Sequence, residues 1–244
     1  MEKVQNVICM KWGAKYSPDY VNRLAAMVRR NMHQPYRLTC FTEDARGIDP
    51  SVVIRPLPEM ELDAKLPERG WRKLTVFQPT LADLPGPVLF LDLDVVIVGA
   101  LDDFFEVPGE FRIIKDWNLR SYVGNSSVFR FEVGKHPDIL RYYLEHGDLV
   151  RQNHRNEQAY LSWCMKEKGL LQYWDDAWCR SFKRHCMRAF PWGYLFEAKH
   201  PGPDARVVIF HGKPNPDWVV NGWHSSNFLR SVRKTRWIEE NWRL

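Results

Sequence analysis

The chain has 244 residues, of which 45% are hydrophobic and 27% charged, with a formal net charge of +5. That balance describes a globular chain with room for a substantial core and excludes a disordered or fibrous one. No apolar run approaches the ~20 residues that span a bilayer, and no recognition helix, zinc-finger spacing or aromatic RNA-binding motif is visible, so nucleic acid is not an expected partner.

The opening MEKVQNVICMKWG is too short in apolar residues for a secretion signal. The five cysteines (Cys9, Cys40, Cys164, Cys179, Cys186) are odd in number and lack a C-x-x-C pair. A cytoplasmic protein with reduced thiols is the expectation. Residues 4–10 read as a first strand. Ser17 can cap a following helix, with Pro18 at its first position and Val21, Leu24, Ala25 and Val28 on one face. Residues 36–42 and 52–55 read as further strands. Strand, loop, helix, strand opens an α/β nucleotide-binding half, whose ligands sit beyond the carboxyl ends of the strands. Lys11, Trp12 and Tyr16 then fall near a bound base, packing being the other role open to the two rings.

Residues 56–70 form a proline-rich, charged loop. Residues 71–84 carry a helical pattern interrupted at Pro79. After Pro85-Gly86-Pro87, residues 88–91 are an apolar run suited to a strand covered on both faces. Asp92 and Asp94 follow. Strand side chains repeat every second residue, so extended geometry turns both carboxylates to one side. Two such charges repel unless a cation lies between them or one keeps its proton. Oxygen ligands suit Mg²⁺ or Mn²⁺. The plain alternative is an acidic turn at a strand end. Apolar residues on both sides of the pair speak against it, because burying two unpaired carboxylates costs several kcal/mol.

Residues 101–105 read as a helical turn in which Asp102 and Asp103 are turn and cap residues. Strands are expected over 111–115 and towards the end of 122–131, and helices over 136–146 and 153–168. A last core strand, 207–210, runs into His211-Gly212-Lys213-Pro214. Neutral imidazole at a strand end can ligate a metal, Gly212 lets backbone approach a diphosphate, and Lys213 can lie against it. Residues 227–241 fit a helix with Arg230, Arg233, Lys234 and Arg236 beside Phe228, Leu229 and Trp237. That surface suits peripheral contact with an anionic membrane, or plain solvent. Trp117, Trp192, Trp218 and Trp223 fall in loops where a ring can stack on a sugar or simply pack. With no repeat or linker, one domain over 1–244 is expected, with a nucleotide-binding half over about 1–105 and an acceptor-side half over about 106–244.

The segment KLTVFQPTLADLPGPVLFLDLDVVIVGALDDFFEV resembles the central region of family 8 glycosyltransferases of the glycogenin and lipopolysaccharide types. Lys73-Leu74 matches the Lys-Leu that opens the helix before that family's D-x-D. Asn125-Ser126-Ser127 is similar to its Asn-Ser-Gly, and Glu157-Gln158 to its Asp-Gln. His211, Gly212, Lys213 and Pro214, with Trp218, resemble its C-terminal His-Gly-Lys-Pro-Trp elements. Ser127 and Glu157 depart from the pattern, and His-Gly-Lys is contiguous here where the family spreads it out. The resemblance implies an α/β GT-A fold, a Rossmann-like mixed sheet flanked by helices. It implies transfer of a sugar from a nucleotide-diphosphate sugar, in this family a UDP-sugar, to an acceptor hydroxyl with retention. The acceptor would be a glycan, lipid-linked or protein. Asp94 and His211, with Asp92 also assisting ribose, would hold Mn²⁺ or Mg²⁺. Lys73 and Lys213 would add positive charge at the leaving group. Asn125, Glu157 and Gln158 would lie beside the sugar. Two rivals remain: a haloacid-dehalogenase-type phosphatase using Asp92 and Asp94, with Asp175-Asp176 as its distal acids, and a nucleotide-sugar or glycan-binding module without turnover.

Overall fold

The computed structural model describes residues 4–62, 70–117, 121–226 and 230–244. Strand β1 (Gln5–Lys11) leads through a loop into helix α1 (Pro18–Asn31), then β2 (Tyr36–Thr42) and β3 (Val53–Pro56). A 3₁₀ helix (Trp71–Phe77) precedes β4 (Pro87–Leu91), β5 (Val95–Ile97), α2 (Asp103–Glu106), β6 (Arg112–Lys115) and β7 (Gly124–Glu132). Helices α3 (Pro137–Asn153) and α4 (Glu157–Glu167) follow, then β8 (Cys179–Ser181) and a π-helical turn (Phe182–Cys186). The last part holds α5 (Trp192–Leu195), β9 (Val207–Ile209), α6 (Pro216–Asn221), β10 (Trp223–His224), β11 (Ser231–Val232) and α7 (Arg236–Asn241).

Six strands form the main sheet in the order β3-β2-β1-β4-β7-β6. β1 is parallel to β2 and to β4, and β7 runs antiparallel to both β4 and β6. The chain thus builds outward from β1 to β3 and then returns to the other side of β1. Between β1 and β4 the order reverses, which is where sheets of this kind leave a crevice. Strand alternation feeds two cores. Val7, Cys9, Leu89 and Leu91 face α1 and the C-terminal elements, while Ile8, Met10, Val88 and Phe90 face the 3₁₀ helix, α3 and α4. Each such side chain, fully buried, contributes about 1.5–3 kcal/mol.

Several expectations change. The apolar run on either side of Asp92 and Asp94 is not one strand. It leaves the main sheet after Leu91 and continues as β5 in a second sheet, ordered β5-β9-β8. Asp92 N donates to Ser127 O of β7 (2.9 Å), and Phe210 N, just after β9, donates to Asp94 O (3.3 Å), so the acidic turn is stitched to both sheets. The helix expected over 71–84 is a 3₁₀ turn ending at Phe77, because Gln78 precedes a proline and takes an extended conformation (ψ 158°). The first helix expected after β7 runs past His146 to Asn153, with a kink at His146 (φ −132°). The next starts only at Glu157, where the Asn156 side chain caps Ala159 N. The closing helix shrinks to Arg236–Asn241 behind the short strand β11. Phe228 and Leu229, and residues 63–69 of the proline-rich loop, lie outside the described residues. No helix among the described residues is long and apolar enough to cross a membrane.

Candidate functional site

A cavity of about 480 Å³ opens at the carboxyl ends of β1 and β4. Trp12, Lys15 and Tyr16 line it from the loop after β1, and Asp92 and Asp94 from the turn between the two sheets. Asn125, Ser126 and Ser127 come from β7, Glu157 and Gln158 from the first turn of α4, and His211 and Gly212 from the end of β9. Gly70 and Lys73 close the floor. Of the residues singled out in the sequence, Tyr16, Lys73, Asp92, Asp94, Asn125, Glu157, Gln158, His211 and Gly212 therefore meet around one space.

The charges are densely coupled. Lys73 Nζ lies 2.7 and 2.8 Å from the two oxygens of Asp92 and 3.9 Å from Glu157 Oε1. Burial works against the ammonium, but Asp92 and Glu157 outweigh it and hold its pKa above the ordinary lysine value. Asp94 forms no ion pair among the described residues, although the charges of Lys15 and Lys73 reach it. Tyr16 Oη donates to its Oδ2 (2.5 Å), and burial, reinforced by the charge of Asp92, pushes its pKa up to about 6. Burial also raises the Glu157 pKa. Its carboxylate accepts from the Ser126 hydroxyl, and a Cβ on Gly70 would come within 2.7 Å of Oε2, so Gly70 leaves the room Glu157 occupies. Asn125 Oδ1 accepts from Ser127 N (3.0 Å) and Gln158 Oε1 from Ser126 N (3.4 Å), leaving both amide nitrogens without a protein partner among the described residues.

His211 is held by its neighbours. Its Nε2 lies 2.7 Å from Ser181 Oγ, and its ring stacks on Trp117 at 5.4 Å. Burial, helped by Lys183, lowers its pKa, which favours the neutral imidazole. As arranged here, no three His, Cys, Asp or Glu side chains among the described residues stand close enough together to grip a metal ion. The donor set still suits a hard cation: two crowded, desolvated carboxylates one residue apart and a neutral imidazole on the same cavity wall.

Lys11 and Lys213 do not line the cavity. Met10 faces it, so strand alternation turns Lys11 away, and its charge is felt by Asp44 instead. Lys213 bends over Trp218, with Nζ 5.8 Å from the ring centroid. Lys183 does not line the cavity either, but it lies beside Gly212, where a Cβ would stand 3.0 Å from its Nζ. The sequence offered no signal for Lys183, which sits almost thirty residues upstream in the π-helical turn after β8. Of the tryptophans, Trp218 and Trp223 stack on each other (6.4 Å) and Trp192 lies away from the cavity. Asp175 and Asp176 are exposed and outside it too, Asp175 capping Ala177 N (2.8 Å), which removes the distal acids a phosphatase would need.

No family model matches the chain, and no curated protein matches it in sequence. Solved structures do. A galactosyltransferase, LgtC, solved with donor and acceptor sugar analogues, superposes with a TM-score of 0.57 at 16% identity over 92% of this chain and 91% of LgtC. The fold is GT-A. The glycosyltransferase GlyE of Streptococcus pneumoniae TIGR4 shares it (TM-score 0.63, 14% identity, 98% of this chain and 61% of GlyE). So does the bifunctional glycosyltransferase WbbM (TM-score 0.56, 10% identity, 88% of this chain and 47% of WbbM). The GT-A architecture expected from the D-x-D region is thus the one found, with the cavity at the switch point of its sheet.

Proposed function

We propose that this chain is a glycosyltransferase that moves a sugar from a nucleotide-diphosphate sugar, a UDP-sugar, to an acceptor hydroxyl of a glycan, lipid-linked or protein acceptor, with retention. The observation that carries this reading is a charge shortfall: three carboxylates face one buried ammonium, Lys73, and one exposed, Lys15, in a cavity at the GT-A switch point. Asp92, Asp94 and His211 are the residues that would hold Mn²⁺ or Mg²⁺, which when bound supplies counter-charge for the departing diphosphate. Lys73 pairs with Asp92, and Tyr16 holds Asp94 in place while its ring and Trp12 wall the base. The amide nitrogens of Asn125 and Gln158 donate to sugar hydroxyls. Gly212 admits the diphosphate to the backbone, and Lys183 gives the charge there that the sequence assigned to Lys213. Glu157, enclosed by Gly70, Ser126 and Lys73, holds that ammonium in the site rather than attacking the sugar. The five free, buried cysteines support a reducing compartment such as the cytoplasm.

A thermal-shift titration followed by a hydrolysis assay tests this. Mn²⁺ and UDP together should raise the Tm, each alone much less, and a panel of UDP-sugars should include one that is slowly hydrolysed. Absence of any nucleoside-diphosphate effect sinks the reading. Tight UDP binding without hydrolysis or transfer across an acceptor panel would favour the binding module instead.

A further inference from the structure

Charge is unevenly placed along the chain. Residues 180–244 carry 12 Lys and Arg against 5 Asp and Glu, a balance of +7, while residues 1–179 carry 23 against 25, or −2. Within the basic portion, α5 and its flank turn apolar side chains outward: Trp192, Leu195 and Phe196 are 53%, 53% and 51% exposed, with Phe190 beside them. The backbone beneath is fixed. Arg233 N donates to Gly193 O (3.1 Å), and Gly193 packs so closely on Ser231 that a Cβ would meet its carbonyl oxygen at 2.3 Å. These side chains are therefore held outward by an anchored turn. Trp237, expected on an exposed basic helix, instead packs inward, its Nε1 donating to Ala198 O (3.2 Å) and its ring near Phe182.

Two arginines stand within this surface. The Arg188 guanidinium lies 5.6 Å from the Phe196 ring and donates to Glu197 O (2.7 Å), and Arg233 donates to Leu195 O (3.0 Å). Neither pairs with a carboxylate among the described residues, whereas Lys234 and Arg236 pair with Glu239 (2.9 Å) and Glu240 (2.7 Å). The acid of the segment, Glu197, accepts from Arg236 N (3.0 Å).

We propose that this surface docks on an anionic lipid bilayer, with Trp192, Leu195 and Phe196 entering the interface and Arg188 and Arg233 meeting the headgroups. Charge selects the occupant. A second copy would bring another +7 portion against the first. An anionic bilayer supplies both the opposite charge and an apolar layer for three side chains. The docking is separate from sugar transfer, since none of the three lines the cavity.

Co-sedimentation of the purified full chain with phosphatidylcholine vesicles, with and without phosphatidylglycerol, decides it. Binding should require the anionic lipid and weaken steeply with salt. Leu195→Asp and the double variant Trp192→Ser/Phe196→Ser should each lower affinity on the order of tenfold or more. Their melting temperatures, and their stabilisation by Mn²⁺ with UDP, should stay at wild-type values. Two variants are used so that a folding defect in one leaves the other to decide, and the Mn²⁺ and UDP response reports the proposed enzyme separately. The docking is overturned by no binding to anionic vesicles, or by equal binding of wild type and both variants. Concentration-dependent dimers in sedimentation velocity that Leu195→Asp dissolves would also overturn it, giving the surface to a second copy.

Discussion

Two acidic pairs follow one another along the same segment, and the protein treats them oppositely. At Asp102 and Asp103 every carboxylate has protein donors. Asp102 accepts from Gln34 N (2.9 Å) and His33 N (3.0 Å), and Asp103 accepts from Arg206 Nε (2.7 Å). Burial acts against Asp102, but the hydrogen bonds from Gln34 and His33 win and hold its pKa below the ordinary carboxylate range. At Asp92 and Asp94 the protein supplies one lysine and one tyrosine hydroxyl, and the Asp94 pKa climbs to about 6. Acids that the fold has finished with are quenched by backbone and side-chain donors. Acids left short of donors in a cavity fit the pattern of a functional site, in keeping with the proposed cation-binding role.

The sharpest way to break this contrast is Lys73→Met. It strips the one buried cation from Asp92 and Glu157 and should cost about 3–5 kcal/mol in urea unfolding; a loss below ~1 kcal/mol would mean that water, not Lys73, solvates those acids. Asp94→Asn comes next and should act in opposite directions. Folded Asp94 keeps its proton to higher pH than the unfolded chain, whose carboxylate titrates near 4, so stability falls as pH rises from about 4 through 6 and stays low above. In EDTA the variant should therefore gain about 2–3 kcal/mol at pH 8 and nothing at pH 4. The same variant should weaken Mn²⁺-dependent UDP binding on the order of 100-fold by calorimetry. Equal stability at pH 8 would end the claim that this carboxylate lacks partners. Asp102→Ala should cost about 1–3 kcal/mol and leave UDP binding unchanged. Smallest of all, Lys213→Ala should change donor hydrolysis by no more than about twofold, whereas Lys183→Ala should slow it about tenfold or more; the reverse order would restore Lys213 to the diphosphate.

Much of this was legible in the linear chain. Alternation in β1 and β4 is strict enough to divide Val7 from Ile8 and Leu89 from Phe90, and the D-x-D stands out because its flanks are apolar. The change of sheet at Asp92 was not legible. Val95–Ile97 reads as more of the same strand, and only its pairing with Val207–Ile209, more than a hundred residues on, decides otherwise. The same non-local logic hid Ser181 as the partner of His211 and Gly70 as the wall behind Glu157. The outward rings of α5 were hidden too, since an aromatic run with one glycine looks alike whether it packs or protrudes. Lys11 was misplaced for a simpler reason: its alternation with Met10 was available and points it away.

Leu93, between the two acids, is 3% exposed and belongs to the core that joins α1 to both sheets. Its anchoring means the acidic turn loses its conformational freedom during folding, well before any ligand arrives. A cation or nucleotide entering there has little backbone left to order at that turn, so affinity at this point should be governed by dehydration and charge rather than by loop closure.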